Sequence, residues 1–166
     1  NGDEVGVAVP VEDACELYIQ HAVQSVEKQG IDFKGLKVAL DTGHGASCMT
    51  SAEALRRLGA DVTVINDDAG RWLEAHDGVY DAIIADFPDP SNFGLGKLYS
   101  VPMYRLMSRH LAEHGLLVVQ STSPYYAPRS FWCINATLQE AGFVTWPYHA
   151  NVPSFGEWGY ILAARH

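Results

Sequence analysis

Residues 80–90, YDAIIADFPDP, carry an apolar, Ile-rich stretch straight into two acids, Asp86 and Asp89, set three apart beside Pro88 and Pro90. The pattern reads as a buried strand that ends in a polar lip. Upstream, LKVALD (36–41) and DVTVIN (61–66) are two more short apolar strands. Downstream, GLLVVQS (115–121) is a fourth, and VTWPYH (144–149) and WGYILAA (158–164) are a closing pair. Segments with helical spacing lie between them: VEDACELYIQHAVQSVEKQG (11–30), EALRRL (53–58) ahead of Gly59, DDAGRWLEAH (67–76), MYRLMSRHLAEH (103–114) and a run from Pro128 to Gly142. Thr50 and Glu53 have capping-box spacing, and Asp67 or Asp68 is placed to cap the next helix.

Alternation of strand and helix predicts a Rossmann-like three-layer α/β sandwich, residues 1–166 as a single domain, with a mainly parallel sheet and an antiparallel edge pair at the C-terminus. Ligands in such sheets sit beyond the carboxyl ends of the strands, where Asp41, Asn66, Asp86 and Ser121 fall.

The chain has 166 residues, 48% of them apolar, and a formal net charge of -9 with only 11 Lys and Arg. So few cations argue against a nucleic-acid partner, because phosphate binding needs clustered positive charge. A cationic ligand such as an amine is better matched. No apolar run approaches the ~20 residues that span a bilayer, so a soluble, cytoplasm-like setting without a membrane partner is expected. Cys15, Cys48 and Cys133 are odd in number and far apart, and read as reduced, packed thiols. His110 and His114 share i,i+4 spacing without an HExxH frame and read as a solvated helix end, so no metal is expected. His44 reads as a loop hydrogen-bonding group. Ser121 and Ser123 lack a nucleophile elbow.

From about residue 66 to 164, the stretches NDDAGRWL, YDAIIADFPDPSN, LGKLYS, GLLVVQSTSPYYAPRSFWCI and VPSFGEWGYILA resemble the spermidine synthase family of polyamine aminopropyltransferases. The resemblance implies a base at Asp86 with Asp89 as companion acid, Asp68 and Ala69 reading an adenine, and Tyr125, Glu157 and Trp158 near the amine. The ligand it admits is decarboxylated S-adenosylmethionine, with an adenosyl or polyamine small molecule as partner and no required cofactor. Considered one at a time, the same residues have plainer readings: Asp68 as a helix cap, Asp89 as a turn residue, Tyr125 and Trp158 as packing.

From the N-terminus to about residue 66, VEDACELYIQHAV, DFKGLKVALDTGHGAS and ALRRLGADVTVIN resemble the second domain of the phosphohexomutases, nearest phosphoglucosamine mutase. Neither the phosphoserine loop nor the DGDADR-like metal loop of that family is present, so phosphosugar transfer is not expected. The spermidine synthase family's GGGDG-type turn, its ribose-binding acid and its upstream lid also have no counterpart. Gly43 and Gly45 in TGHGAS (42–47) are the candidates to replace the turn.

The two resemblances meet at a strand end. They lead to the expectation of an engineered or computationally generated chimera that folds but has no native turnover. Two alternatives stay open. One is a minimal aminopropyltransferase or adenosyl-ligand binder, recognisable by a pocket joining Gly43, Gly45, Asp68 and Asp86. The other is a structural module, monomeric or weakly dimeric through WGYILAA as an edge strand.

Overall fold

The computed structural model describes residues 9–42, 45–153 and 156–166, so Gly43 and His44 lie outside the described residues. Helix α1 (Ala14–Glu27) leads into strand β1 (Lys37–Asp41), a 3₁₀ turn (Ala46–Met49), α2 (Ser51–Arg57), β2 (Asp61–Ile65), α3 (Ala69–Ala75) and β3 (Tyr80–Ala85). Then come α4 (Phe93–Gly96), a 3₁₀ turn (Lys97–Tyr99), α5 (Val101–Arg109), β4 (Leu111–Gln120), α6 (Pro128–Glu140), β5 (Phe143–Val152) and β6 (Gly156–Arg165). The six strands form one sheet in the order β2-β1-β3-β4-β6-β5. Strands β2, β1, β3 and β4 are parallel, and β6 runs antiparallel to both its neighbours, β4 and β5. The predicted fold class is the one observed.

Alternation along β1 explains why both faces are covered. Val38 and Leu40 point to one face, where Ala52, Ala60 and Val62 join them in a small core. Ala39 points to the other, into a larger core with Leu73 of α3, Tyr104 and Met107 of α5, and Leu138 of α6. A strand segment buried on both faces must be apolar throughout, which is why Val38, Ala39 and Leu40 show no polar alternation after the exposed Lys37.

The structure departs from the sequence expectation in several places. The helix expected to run to residue 114 stops at Arg109, and residues 111–120 are extended. The register against β3 jumps from Tyr80↔Leu111 to Ala82↔Leu116, a bulge in which a side chain on Gly115 would stand 2.9 Å from the Tyr80 carbonyl oxygen. His110 is accordingly a core residue, 7% exposed, its Nδ1 2.7 Å from the Gly78 carbonyl oxygen, and not a solvated helix end. The capping box does not form: Thr50 makes no side-chain cap, and Glu53 turns to Arg57 at 2.9 Å. Cys15 and Cys133 are exposed and not packed, and Cys48 is partly exposed. The segment WGYILAA is an interior strand, hydrogen-bonded to β4 on one side and β5 on the other, so it offers no edge for dimerisation.

No helix among the described residues is long and apolar enough to cross a membrane.

Candidate functional site

Asp86 follows the last residue of β3. The chain leaves β1 through α2 toward β2 on one side, while β3 pairs on the other side of β1, so the strand order reverses between β1 and β3. That reversal opens a crevice at the carboxyl ends of the two strands. The Asp86 backbone N–H donates to the Asp41 carbonyl oxygen at 3.1 Å, which closes the parallel ladder at the crevice. Ser47, from the 3₁₀ turn after β1, donates its hydroxyl to Asp86 Oδ2 at 3.3 Å.

A cavity of about 390 Å³ opens at this point and runs between α1, α2 and the sheet. Asp86 keeps an exposed edge at its mouth, yet the surrounding protein displaces enough water to raise its pKa; the Ser47 bond pulls the other way. Helix α1 roofs the cavity through Tyr18, Ala22 and Val26. It is held by the buried Ile19 and by a two-bond ion pair in which Arg57 Nη1 and Nη2 donate to Glu16 at 2.7 and 2.9 Å.

Asp89 belongs to a separate network. Gln120, at the end of β4, donates through Nε2 to Asp89 Oδ1 at 3.3 Å. The Tyr99 hydroxyl lies 3.2 Å from Gln120 Oε1 and also 3.2 Å from the Phe87 and Pro88 carbonyl oxygens. Burial pushes the Tyr99 phenol well above its usual value, and the Asp89 and Asp86 carboxylates push the same way. Tyr99 thus stays a neutral donor that ties the FPDP loop to β4.

Asp68 caps α3: its Oδ1 accepts from the Arg71 N–H at 2.9 Å. Ala69, the first residue of that helix, is buried. Both stand at the carboxyl end of β2, next to β1 and one strand removed from Asp86. The pocket that would join Gly43, Gly45, Asp68 and Asp86 includes a residue outside the described ones; of the others, Asp86 lines the cavity, and Asp68 and Gly45 are not among its lining residues. Gly45 is exposed beside Ser47, its backbone N–H bonded to the Thr42 carbonyl oxygen at 2.8 Å.

Glu157 and Trp158 begin β6 at the same end of the sheet. Glu157 accepts from Asn151 at 3.2 Å and lies 2.7 Å from His149 Nδ1; the His149 contact, more than the Asn151 one, holds its carboxyl below the usual range. The exposed Tyr125 ring meets His149 edge-on at 5.6 Å. Trp158 pairs in register with Ala150 of β5.

Ser47, Gln120, Tyr99, Tyr18 and Tyr160 were not among the expected site residues. Gln120 had a signal, being the polar residue that ends an apolar strand on the lip where Asp86 sits, whereas Ser47, in the turn six residues past β1, had none. Tyr18 and Tyr160 had none, because a mixed apolar helix face and an interior strand look alike whether they line a cavity or a filled core. Among the described residues, no group of three or more His, Cys, Asp or Glu is placed to hold a metal ion.

Comparison with known proteins adds the family. Residues 48–166 match the family described as spermine/spermidine synthase domain. Polyamine aminopropyltransferase 2 of Ralstonia nicotianae is 69% identical over 103 residues, which is 62% of this chain and 20% of that protein. The polyamine aminopropyltransferase of Leptospira interrogans is 44% identical over 135 residues, 81% of this chain and 27% of that protein. A crystal structure of spermidine synthase in complex with the transition-state analogue AdoDATO superposes with a TM-score of 0.60 at 20% identity, covering 79% of this chain and 55% of that one. The chain thus spans a fifth to about a quarter of the length of these curated relatives.

These matches overturn the chimera. The Leptospira alignment is longer than the whole stretch from Asn66 to the C-terminus, and the family match begins at residue 48, so both cross the supposed junction. No phosphohexomutase segment is supported, and with it falls the expectation of an engineered domain without native function. The chain belongs to the spermine/spermidine synthase domain family.

Proposed function

We propose that this chain carries the carboxylate lip and the adenine-side helix start of an aminopropyltransferase, moving an aminopropyl group from decarboxylated S-adenosylmethionine to an amine. The carrying observation is Asp86 at the strand-order reversal, hydrogen-bonded to Ser47 and facing a cavity. In the reaction, the amine nitrogen bonds to the carbon attached to the sulfonium, the carbon–sulfur bond breaks, and the sulfur leaves as a neutral thioether with its electron pair. The nitrogen sheds a proton as it becomes alkylated. A carboxylate whose pKa is raised by partial burial is a better proton acceptor than one in open water, and it also anchors the cationic amine.

Asp89 is the companion acid in this reading, its carboxylate oriented by Gln120. Asp68 and Ala69 receive the adenine: the carboxylate accepts from the exocyclic amino group while its Oδ1 also caps the helix. Gly45 borders the approach after β1, with Gly43 outside the described residues, and Tyr125, Glu157 and Trp158 stand where the amine enters. An adenosyl ligand and a small amine are therefore the partners.

Calorimetric titration with decarboxylated S-adenosylmethionine tests the adenosyl half. Saturable binding that weakens at least about tenfold in Asp68→Asn, which keeps a capping oxygen but replaces an acceptor with a donor, is the expected result. A folded protein that takes up none of the ligand would overturn the reading.

A further inference from the structure

The turn that carries Ser47 has a second anchor. Strand β1 ends at Asp41, and the next residue, Thr42, is 1% exposed. From there the chain doubles back: the Gly45 N–H donates to the Thr42 carbonyl oxygen at 2.8 Å, and the Cys48 N–H donates to the Gly45 carbonyl oxygen at 3.1 Å. That return brings the Cys48 thiol onto the Thr42 side chain, with Sγ 2.6 Å from Oγ1. Cys48 is only partly exposed.

Successive side chains of a 3₁₀ turn point about 120° apart. Ser47 and Cys48 are neighbours in such a turn, so they reach different partners: Cys48 meets the end of β1, and Ser47 crosses to Asp86 at the end of β3. At 3.3 Å the Ser47–Asp86 bond is already longer than the usual O–H···O range, so a small drift of the turn breaks it. Among the described residues, no other side chain donates to the Asp86 carboxylate. The placement of one hydroxyl on this acid therefore depends on what holds the turn.

We propose that Thr42 and Cys48 are positioning residues for Asp86: their side-chain contact pins the turn after β1 to the end of that strand, and the pinned turn holds the Ser47 hydroxyl on the carboxylate. Removing either member lets the turn drift, and the charged form of Asp86 loses the bond that favours it. The inference rests on the proposed function only in treating Asp86 as the working acid. Its readout is the proton affinity of that acid in the ligand-free chain, which does not depend on turnover.

The test is carbon-detected NMR titration of the Asp86 carboxyl in the whole chain. Cys48→Ala and Thr42→Val each raise its proton affinity about three- to tenfold, the scale of one hydrogen bond, in the same direction as Ser47→Ala. Cys48→Ser, which keeps a group able to bond Thr42, stays within about twofold of wild type. The double variant Ser47→Ala/Cys48→Ala matches Ser47→Ala alone, because the pair acts only through the Ser47 bond. An unmoved midpoint in Cys48→Ala, in Thr42→Val or in Ser47→Ala overturns the proposal, as does a double variant whose shifts add. A lower melting temperature with the midpoint unmoved makes the pair a structural clamp and overturns it too. Should Cys48→Ala fail to fold, Thr42→Val and its double with Ser47→Ala decide. Unmoved midpoints in a chain that takes up decarboxylated S-adenosylmethionine discard the positioning role and leave the transfer reading intact. The expected shifts in a chain that takes up none discard transfer and leave the positioning role.

Discussion

The Ser47 hydroxyl donates to Asp86 Oδ2 at 3.3 Å, joining the turn after β1 to the residue that ends β3. The bond crosses the point where strand order reverses. It opposes the desolvation that lifts the Asp86 pKa, so burial and the Ser47 bond act on the acid's basicity in opposite directions. Ser47→Ala should raise that pKa further, since it removes the contact that favours the charged form. Carbon-detected NMR titration of the Asp86 carboxyl would show it; an unchanged midpoint would mean that the hydroxyl is bonded elsewhere in solution.

Asp86 also links stability to pH. Its folded pKa lies above the ordinary carboxylate value, so protonation favours the folded state. That contribution is fully present below the unfolded-state pKa and is lost as pH rises through the folded one. Asp86→Asn, which cannot ionise, is therefore expected to melt at a higher temperature than wild type at pH 7, with the difference shrinking toward pH 3. A constant difference at both pH values would contradict the assignment.

Helix α1 behaves oppositely. Hydrogen bonds from Arg57, and then from Gln20, hold the Glu16 carboxyl down from 4.5 to about 2. A depressed carboxyl stabilises above its unfolded pKa and loses that contribution as pH falls from about 4.5 toward 2. Amide exchange in α1 should accelerate across this window, and Glu16→Gln should loosen the helix by about two- to fivefold at neutral pH, the modest scale of an exposed pair. Exchange in β1 would not respond.

Gly159 is the tightest backbone contact in the interior strand β6. A methyl there would stand 2.6 Å from both the Thr122 carbonyl oxygen and the Phe131 ring. Thr122 is itself held at φ 58°, an uncommon conformation for a β-branched residue, and its carbonyl oxygen accepts from the Gly159 N–H. Gly159→Ala should cost about 1–3 kcal/mol in urea unfolding. A loss under about 0.5 kcal/mol would show that β4 and β6 can part without penalty.

The Tyr99–Gln120–Asp89 chain gives a fifth contrast. Gln120→Leu leaves the buried Tyr99 hydroxyl with carbonyl partners but strips Asp89 of its donor. Stability should fall by about 1 kcal/mol, and the FPDP loop should exchange faster, while decarboxylated S-adenosylmethionine affinity stays near wild type. A loss of ligand binding as large as that in Asp68→Asn would place Gln120 in the adenosyl site.

The sheet was legible because period and punctuation are local. Short apolar runs ended by Asp, Asn or Ser, with helical spacing between them, can bury their apolar faces in few ways, and a covered parallel sheet is the main one. The same locality misled at the N-terminus: residues 11–66 share a helix–strand–helix–strand pattern with an unrelated family, because many α/β proteins solve the packing problem with that unit. Only an alignment running across residue 66 separated shared packing from shared ancestry. The overrun of α5 has a similar cause, since Leu111 continues the helix's apolar spacing in sequence although the chain is already extended there.

By itself, the sequence determined which segments are strands and helices apart from the overrun of α5, that the sheet is covered on both faces, and that Asp86 stands at a strand end. These follow from side-chain alternation and from the cost of exposing apolar surface. Tertiary structure decided that β6 lies inside the sheet, that Ser47 meets Asp86, that Gln120 meets Asp89, and that α1 roofs an apolar cavity with one acid at its mouth. Strand order and helix docking bring together residues tens of positions apart, and no local pattern encodes a distance between segments that touch only after the chain has folded.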